Sequence, residues 1–293
     1  MTKIGFIGLG SMGLSMARNL IACDYEVHGY DLRPEARASV AAAGGVAAAS
    51  VEEAFRGADF AVLMVVDAAQ AEEILFAPDT LSALAPWAAV ILMATCPPAA
   101  VAALAERVEA AGYDFVDAPV SGGVAGATGA TLTIMAAAAE ATYRKALPVL
   151  QAMGSKVVRV GSKPGQGATA KSVNQLLCGV HLAVAAEALS LAERLGLDMA
   201  VMLDIVSGSA ASSWMLRDRG GRMLEATPDV TSTVDIFVKD LGIVLETGRA
   251  AKTALPLAAI AHQLFLSVSG QRLGAADDSQ VIRFYRSLQG DPG

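Results

Sequence analysis

Cysteine and histidine are scarce in this chain, with three of each in 293 residues. Cys23, Cys96 and Cys178 lie far apart, so they encode no disulfide framework and read as the reduced thiols of a cytoplasmic protein. His28, His181 and His262 show no metal-ligand spacing, and no metal is expected. Charged residues make up only 17% of the chain, without a basic run, and the formal net charge is -7. That charge repels a phosphate backbone and excludes nucleic acid as a partner. No charged-then-apolar leader precedes the first strand-like stretch, so no secretory signal is expected. Internal repeats and low-complexity tracts are also lacking. What abounds is apolar: 54% of the residues are hydrophobic, enough for a sizeable core and against long disorder. The length accommodates two domains.

The chain opens on a short apolar strand, KIGFIG, followed by Gly8-Leu9-Gly10-Ser11-Met12-Gly13 and a helical stretch. This is G-x-G-x-x-G in its required setting, strand before and helix after. The first glycine permits a tight turn, the second lets a pyrophosphate approach the backbone, and the third allows close helix–strand packing. The phosphates then sit on the helix N-terminus. A second strand, EVHGYD, ends in Asp31, with Leu32 next to it at the strand tip. A carboxylate there accepts from the adenosine ribose 2′-hydroxyl and repels a 2′-phosphate. NAD is therefore expected rather than NADP, with Arg33 as the residue that would pair with a phosphate.

Helical and apolar extended segments then alternate, with strands at 60–66, 89–95, 113–119, 131–138 and 156–161. Near-continuous apolar strands between helices predict an α/β doubly wound parallel sheet (Rossmann). Ligands bind beyond the carboxyl ends of such strands, which brings Val65, Val66, Asp67 and Thr95 to the dinucleotide. Thr95 also reads as an ordinary helix cap ahead of Pro97. After Gly161 no strand pattern remains. The predicted division is a dinucleotide-binding domain over 1–163 and an all-α domain over 164–293, for substrate and assembly.

The second domain starts on GQGATAKSVNQLLCGVHLAVAAEALSLAERLG, one long helix. It is apolar on all sides from Leu176 to Leu191, which predicts burial. Gln175, His181 and Glu187 interrupt it, and no positive flank marks a topology, so a membrane span is not expected. Near its start Lys171, Asn174, Gln175 and Cys178 fall on one face. A buried lysine beside two amides is a candidate proton-transfer group, because burial disfavours the ammonium. A lysine snorkelling to solvent, with amides closing the turn, is the other reading at this point.

Four ordered motifs then carry a resemblance: GFIGLGSMGLSMARNL at 5–20, DAPVSGG at 117–123, GQGATAKSVNQ at 165–175 and KDLGIVLETG at 239–248. Together they resemble the β-hydroxyacid dehydrogenases, the group of 3-hydroxyisobutyrate dehydrogenase, tartronate semialdehyde reductase and 6-phosphogluconate dehydrogenase. The resemblance implies that Ser121, Gly122 and Gly123 hold the substrate carboxylate and that Lys171 is the general acid/base. It further implies that Asn174 and Gln175 orient the substrate, and that Lys239 and Asp240 close on substrate and cofactor. Gln175 departs from the family's usual Asn by one methylene. Ala130, Ala137 and Ala138 replace expected glycines. NQLLCGVH is similar to the branch that acts on four-carbon sugar acids. The reaction so implied is NAD-dependent oxidation of a small hydroxy acid by a cytoplasmic homodimer or homotetramer, with 3-hydroxyisobutyrate or tartronate semialdehyde as alternative substrates. Imine reduction is disfavoured, since that branch usually replaces the lysine. A non-catalytic dinucleotide-binding scaffold is the remote alternative, against which the intact Lys171 argues.

Overall fold

A computed structural model describes residues 1–288, which form two compact units, 1–171 and 172 onward. In the first, strands and helices alternate as β1 (Lys3–Ile7), α1 (Gly13–Ala22), β2 (Glu26–Tyr30), α2 (Pro34–Ala42), β3 (Val46–Ala47) and α3 (Val51–Phe55). They continue as β4 (Phe60–Leu63), α4 (Ala68–Leu75), β5 (Ala89–Leu92), α5 (Pro98–Ala110), β6 (Asp114–Asp117) and β7 (Val120–Ser121). The unit closes on α6 (Gly123–Thr128), β8 (Thr133–Ala137), α7 (Glu140–Met153) and β9 (Lys156–Gly161).

One sheet runs in the order β3-β2-β1-β4-β5-β6-β8-β7, with β9 paired to β8. The strands from β3 to β6 are parallel, in register as Ile7↔Tyr30, Ile7↔Leu63 and Leu92↔Asp117. FAVL of β4 and AVIL of β5 are buried throughout, which is why they read as unbroken apolar runs: helices cover both faces. Met16 and Leu20 of α1 pack with Val149 and Leu150 of α7 on one face of the sheet. Phe55 of α3, Leu75 of α4 and Leu104 of α5 pack on the other. Truncating one such Leu to Ala typically costs about 2–5 kcal/mol.

The sheet is mixed rather than wholly parallel. β8 runs antiparallel to β6 and β7, and β9 parallel to β8. The physical reason is connection length. A parallel return needs a crossover of a dozen residues or more, and between β7 and β8 the chain has only the single short α6.

The second unit is helical. Its first helix is the continuation of α8 (Gln166–Arg194), followed by α9 (Met199–Ser207), α10 (Trp214–Met223), α11 (Val234–Ala250), α12 (Pro256–Val268) and α13 (Ile282–Leu288). Leu182, Leu189, Phe237, Leu241, Phe265 and Ile282 form its core, with Phe237 and Phe265 stacked at 4.9 Å. The compact units divide at Lys171/Ser172, inside α8, eight residues beyond the division expected from the sequence. The first turn of α8 belongs with the sheet, because Ala168 packs in the core that holds Phe115.

α8 is not buried all round. Val173, Leu177, Val184, Leu191 and Leu195 are 50–66% exposed and recur along one stripe. By length and composition α8 is the one described helix apolar enough to cross a bilayer, and half of its most apolar window is buried. The expectation of full burial fails because apolar sequence tells only that a face seeks cover, not that this chain supplies it.

Candidate active site

The glycine turn follows β1 directly. Gly8 is at φ +92°, and a Cβ there would meet Met64 O at 2.4 Å. A Cβ on Gly13 would lie 1.9 Å from Gly8 O, so the start of α1 closes onto the turn only without a side chain. At Gly10 a Cβ would meet nothing within 4 Å. The backbone between Leu9 and Gly13 is therefore open on the side that a pyrophosphate needs, and Leu9, Ser11 and Met12 frame it. These residues fit a dinucleotide.

Asp31 sits at the tip of β2. Its Oδ2 accepts from Leu9 N at 2.8 Å, and its Oδ1 from Arg33 N at 2.9 Å and Arg33 Nε at 3.0 Å. Arg33 also donates to Leu9 O at 3.1 Å. Burial pushes the Asp31 carboxyl up, but the Arg33 guanidinium and the two amides outweigh it and hold it below the usual carboxylate range. The acid that a ribose would meet is thus ionised and already clamped to the glycine turn. Arg37, which the sequence did not single out, fixes the same tip by donating to Asp31 O at 2.6 Å. Leu32 is exposed beside it. Along the adjacent strand ends, Val66 is exposed, and the Asp67 carboxylate caps α4 by accepting from Gln70 N at 2.9 Å. Pro97 stands at the N-cap of α5, two residues after Thr95.

Ser121 and Gly122 lie where the sheet reverses direction. Gly122 adopts φ +134°, a conformation that L side chains rarely take, and α6 begins at Gly123. Asn19 of α1 donates to Ala127 O of α6 at 2.7 Å, tying this turn to the dinucleotide helix within one unit.

Lys171, in the second turn of α8, is 6% exposed. It ends the same compact unit that holds both turns. In the second unit a chain of polar contacts links α8 to α11. Asn174 donates to Gln175 Oε1 at 2.9 Å and lies 3.3 Å from Cys178 Sγ. Gln175 Nε2 donates to Asp240 Oδ2 at 2.6 Å. Asp240 Oδ1 lies 2.9 Å from Lys239 Nζ, an ion pair rather than an aligned hydrogen bond. Gln175, expected from the sequence to face substrate, has both ends of its amide engaged inside this unit. The extra methylene carries it to Asp240. The sequence reading also missed Asp117, whose carboxylate is buried at the first turn of α8. It opens the DAPVSGG motif, but only the residues from Ser121 onward were given a role from the sequence.

The open glycine turn and the ionised acid at the second strand fit a dinucleotide-binding domain. Residues 3–161 match the NAD binding domain of 6-phosphogluconate dehydrogenase, and residues 165–285 match the NAD-binding region of NADP-dependent 3-hydroxyisobutyrate dehydrogenase. The chain is 43% identical to L-threonate dehydrogenase of Cupriavidus necator, over 98% of this chain and 97% of that one. It is 32% identical to mitochondrial 3-hydroxyisobutyrate dehydrogenase of Drosophila melanogaster, over 95% and 88%. A crystal structure of 3-hydroxyisobutyrate dehydrogenase from Salmonella typhimurium superposes with TM-score 0.92 at 40% identity, covering 97% of this chain and 99% of that one. The chain belongs to the β-hydroxyacid dehydrogenase family, and it is a dehydrogenase acting on CH–OH with a nicotinamide dinucleotide as cofactor. NAD is supported, and the second family match keeps NADP open.

Proposed function

We propose that this enzyme oxidises a four-carbon sugar acid of the L-threonate type with NAD, and that Lys171 is its general acid/base. The observation that carries the reading is the burial of Lys171 at the end of the unit that also holds the glycine turn and the Ser121–Gly123 turn. A neutral lysine there takes the hydroxyl proton, and gives it back in the reverse direction. Bound nicotinamide supplies the hydride acceptor. The Ser121 hydroxyl and the Gly122 and Gly123 amides receive the substrate carboxylate, since the two glycines put no Cβ in its way. Gly8 to Gly13 and Asp31 hold the dinucleotide, with Leu32, Val65, Val66, Asp67 and Thr95 beside it.

The substrate assignment rests on the L-threonate dehydrogenases among the relatives and on Gln175. Asn174 and Gln175 orient the sugar acid, with Gln175 steadied by Asn174 and Asp240. The family resemblance gives Lys239 and Asp240 their roles toward substrate and cofactor. A site built to bond a hydroxyl rejects an analogue lacking it, because its own polar groups go unpaired. L-Threonate should therefore exceed 3-hydroxyisobutyrate in kcat/KM when both are assayed with NAD and with NADP. A preference for 3-hydroxyisobutyrate would move the enzyme to the methyl-branched hydroxy acids.

Two further proposals concern setting. The chain works as a homodimer or homotetramer through its helical unit, which the exposed stripe from Val173 to Leu195 supports. Light scattering of the wild type should give a multiple of 29.9 kDa, and a monomeric mass at micromolar concentration would sink the idea. The cytoplasm is its compartment, in keeping with three cysteines that form no disulfide.

A further inference from the structure

Asp117 ends β6, and its residue is 1% exposed. Its Oδ2 accepts from Gly165 N at 2.8 Å and from Ala168 N at 3.0 Å, the donors at the start of α8. The amide of Gly167 also favours the ionised carboxylate. The turn is seated as tightly as backbone allows. A Cβ on Gly167 would come within 2.7 Å of both Asp117 O, at the end of β6, and Met135 O, in the middle of β8. Burial pushes the Asp117 carboxyl up to about 6, against the three amides that favour its ionised form. A helix N-terminus alone does not call for this. Ser, Thr or Asn caps a helix as well, without the cost of burying a charge.

Lys171 follows Gly167 by four residues and Ala168 by three, which places it one turn further along the face that Asp117 seats. We propose that Asp117 is a positioning residue for Lys171, fixing the first turn of α8 on the strand ends and so setting where the lysine meets the reacting alcohol. This rests on Lys171 being the acid/base. A lysine displaced by an ångström loses alignment with the hydroxyl proton, while the dinucleotide turn, built on β1 and β2, is untouched.

The test is a double-mutant cycle with Asp117→Asn and Lys171→Ala, assayed on L-threonate and NAD. Asp117→Asn keeps an acceptor and loses the charge. It should lower kcat about tenfold while KM for NAD stays within about twofold. In the Lys171→Ala background the same change should alter kcat by less than about twofold, because there is no lysine left to misplace. A single mutant with wild-type kcat overturns the proposal. So does an equal loss in both backgrounds, which assigns Asp117 a structural role only. If Lys171→Ala alone keeps more than about a tenth of kcat, the acid/base reading falls and takes this proposal with it, an outcome distinct from additivity. Should Asp117→Asn fail to fold, Gly167→Ala lifts the same turn from the other side. A folded Gly167→Ala enzyme with wild-type kcat overturns the proposal, and a kcat loss confined to the Lys171 background supports it.

Discussion

The two units bury carboxylates by opposite means. In the first, the Asp117 carboxylate accepts from the backbone amides of Gly165 and Ala168. In the second, Asp278 is wholly buried against Arg219, which reaches it through Nε at 2.8 Å and Nη2 at 3.2 Å. Arg219 also pairs with Asp218, and Arg222 lies 3.4 Å from Asp277. Burial pushes Asp278 up in spite of Arg219, so the pair is expensive to desolvate and costly to break. The difference teaches what each unit is built for. Backbone amides place a charge without consuming a cation, as suits a turn that leads to the proposed acid/base, Lys171. Ion pairs between side chains lock helices, here at the expense of leaving Arg222 Nε buried without a hydrogen bond.

Breaking the second arrangement should have the largest effect. Arg219→Met leaves the Asp278 carboxylate buried without its partner and should cost about 3–5 kcal/mol in denaturant unfolding. A loss below about 1 kcal/mol would mean that the helical unit does not depend on the pair. Next comes Lys171→Ala, expected to cut kcat by about 10² or more with NAD affinity unchanged within a few fold. Both changes remove a buried basic side chain, yet the first should act on stability and the second on rate.

How much of this was legible in the sequence depends on how far apart the partners stand. The β1 turn and Asp31 were readable because spacing alone brings them together within about thirty residues. The direction of β8 was not, since periodicity carries no sign, although the short stretch after Ser121 holds too few residues for a parallel crossover. Gln175 meets Asp240 across 65 positions, and Asp117 meets Gly165 across 48. Nothing local announces either. The α8 stripe misled for another reason: a helix apolar all round looks the same whether its cover comes from its own chain or from elsewhere.

Two smaller effects sharpen the comparison. Asp31→Asn removes the charge that repels a 2′-phosphate and releases Arg33, so the NAD:NADP ratio of kcat/KM should fall about tenfold, about 1.4 kcal/mol. A wild type that already prefers NADP would give Arg33 the deciding role. The last is a pH effect. The folded Asp117 carboxyl titrates near 6 and the unfolded one near 3.8, so its contribution to stability is fully present below 3.8 and lost as pH rises through about 6. The stability gap between wild type and Asp117→Asn should therefore be about 1 kcal/mol larger at pH 5 than at pH 7. A gap that does not change with pH would mean that burial does not raise this group.

The division of the chain inside α8 has a consequence for anyone recombining it. The helix is continuous for 29 residues, so no linker exists at Lys171 where two halves could be spliced freely. Inserting one residue after Lys171 turns every later position on the helix by about 100° relative to it, and Asn174 and Gln175 leave the lysine's face. Inserting seven, two full turns, restores the facing and lengthens the rod by about 10 Å. Chimaeras with other family members should therefore tolerate a junction in phase with the helical repeat and reject one out of phase, whatever the identity between parents.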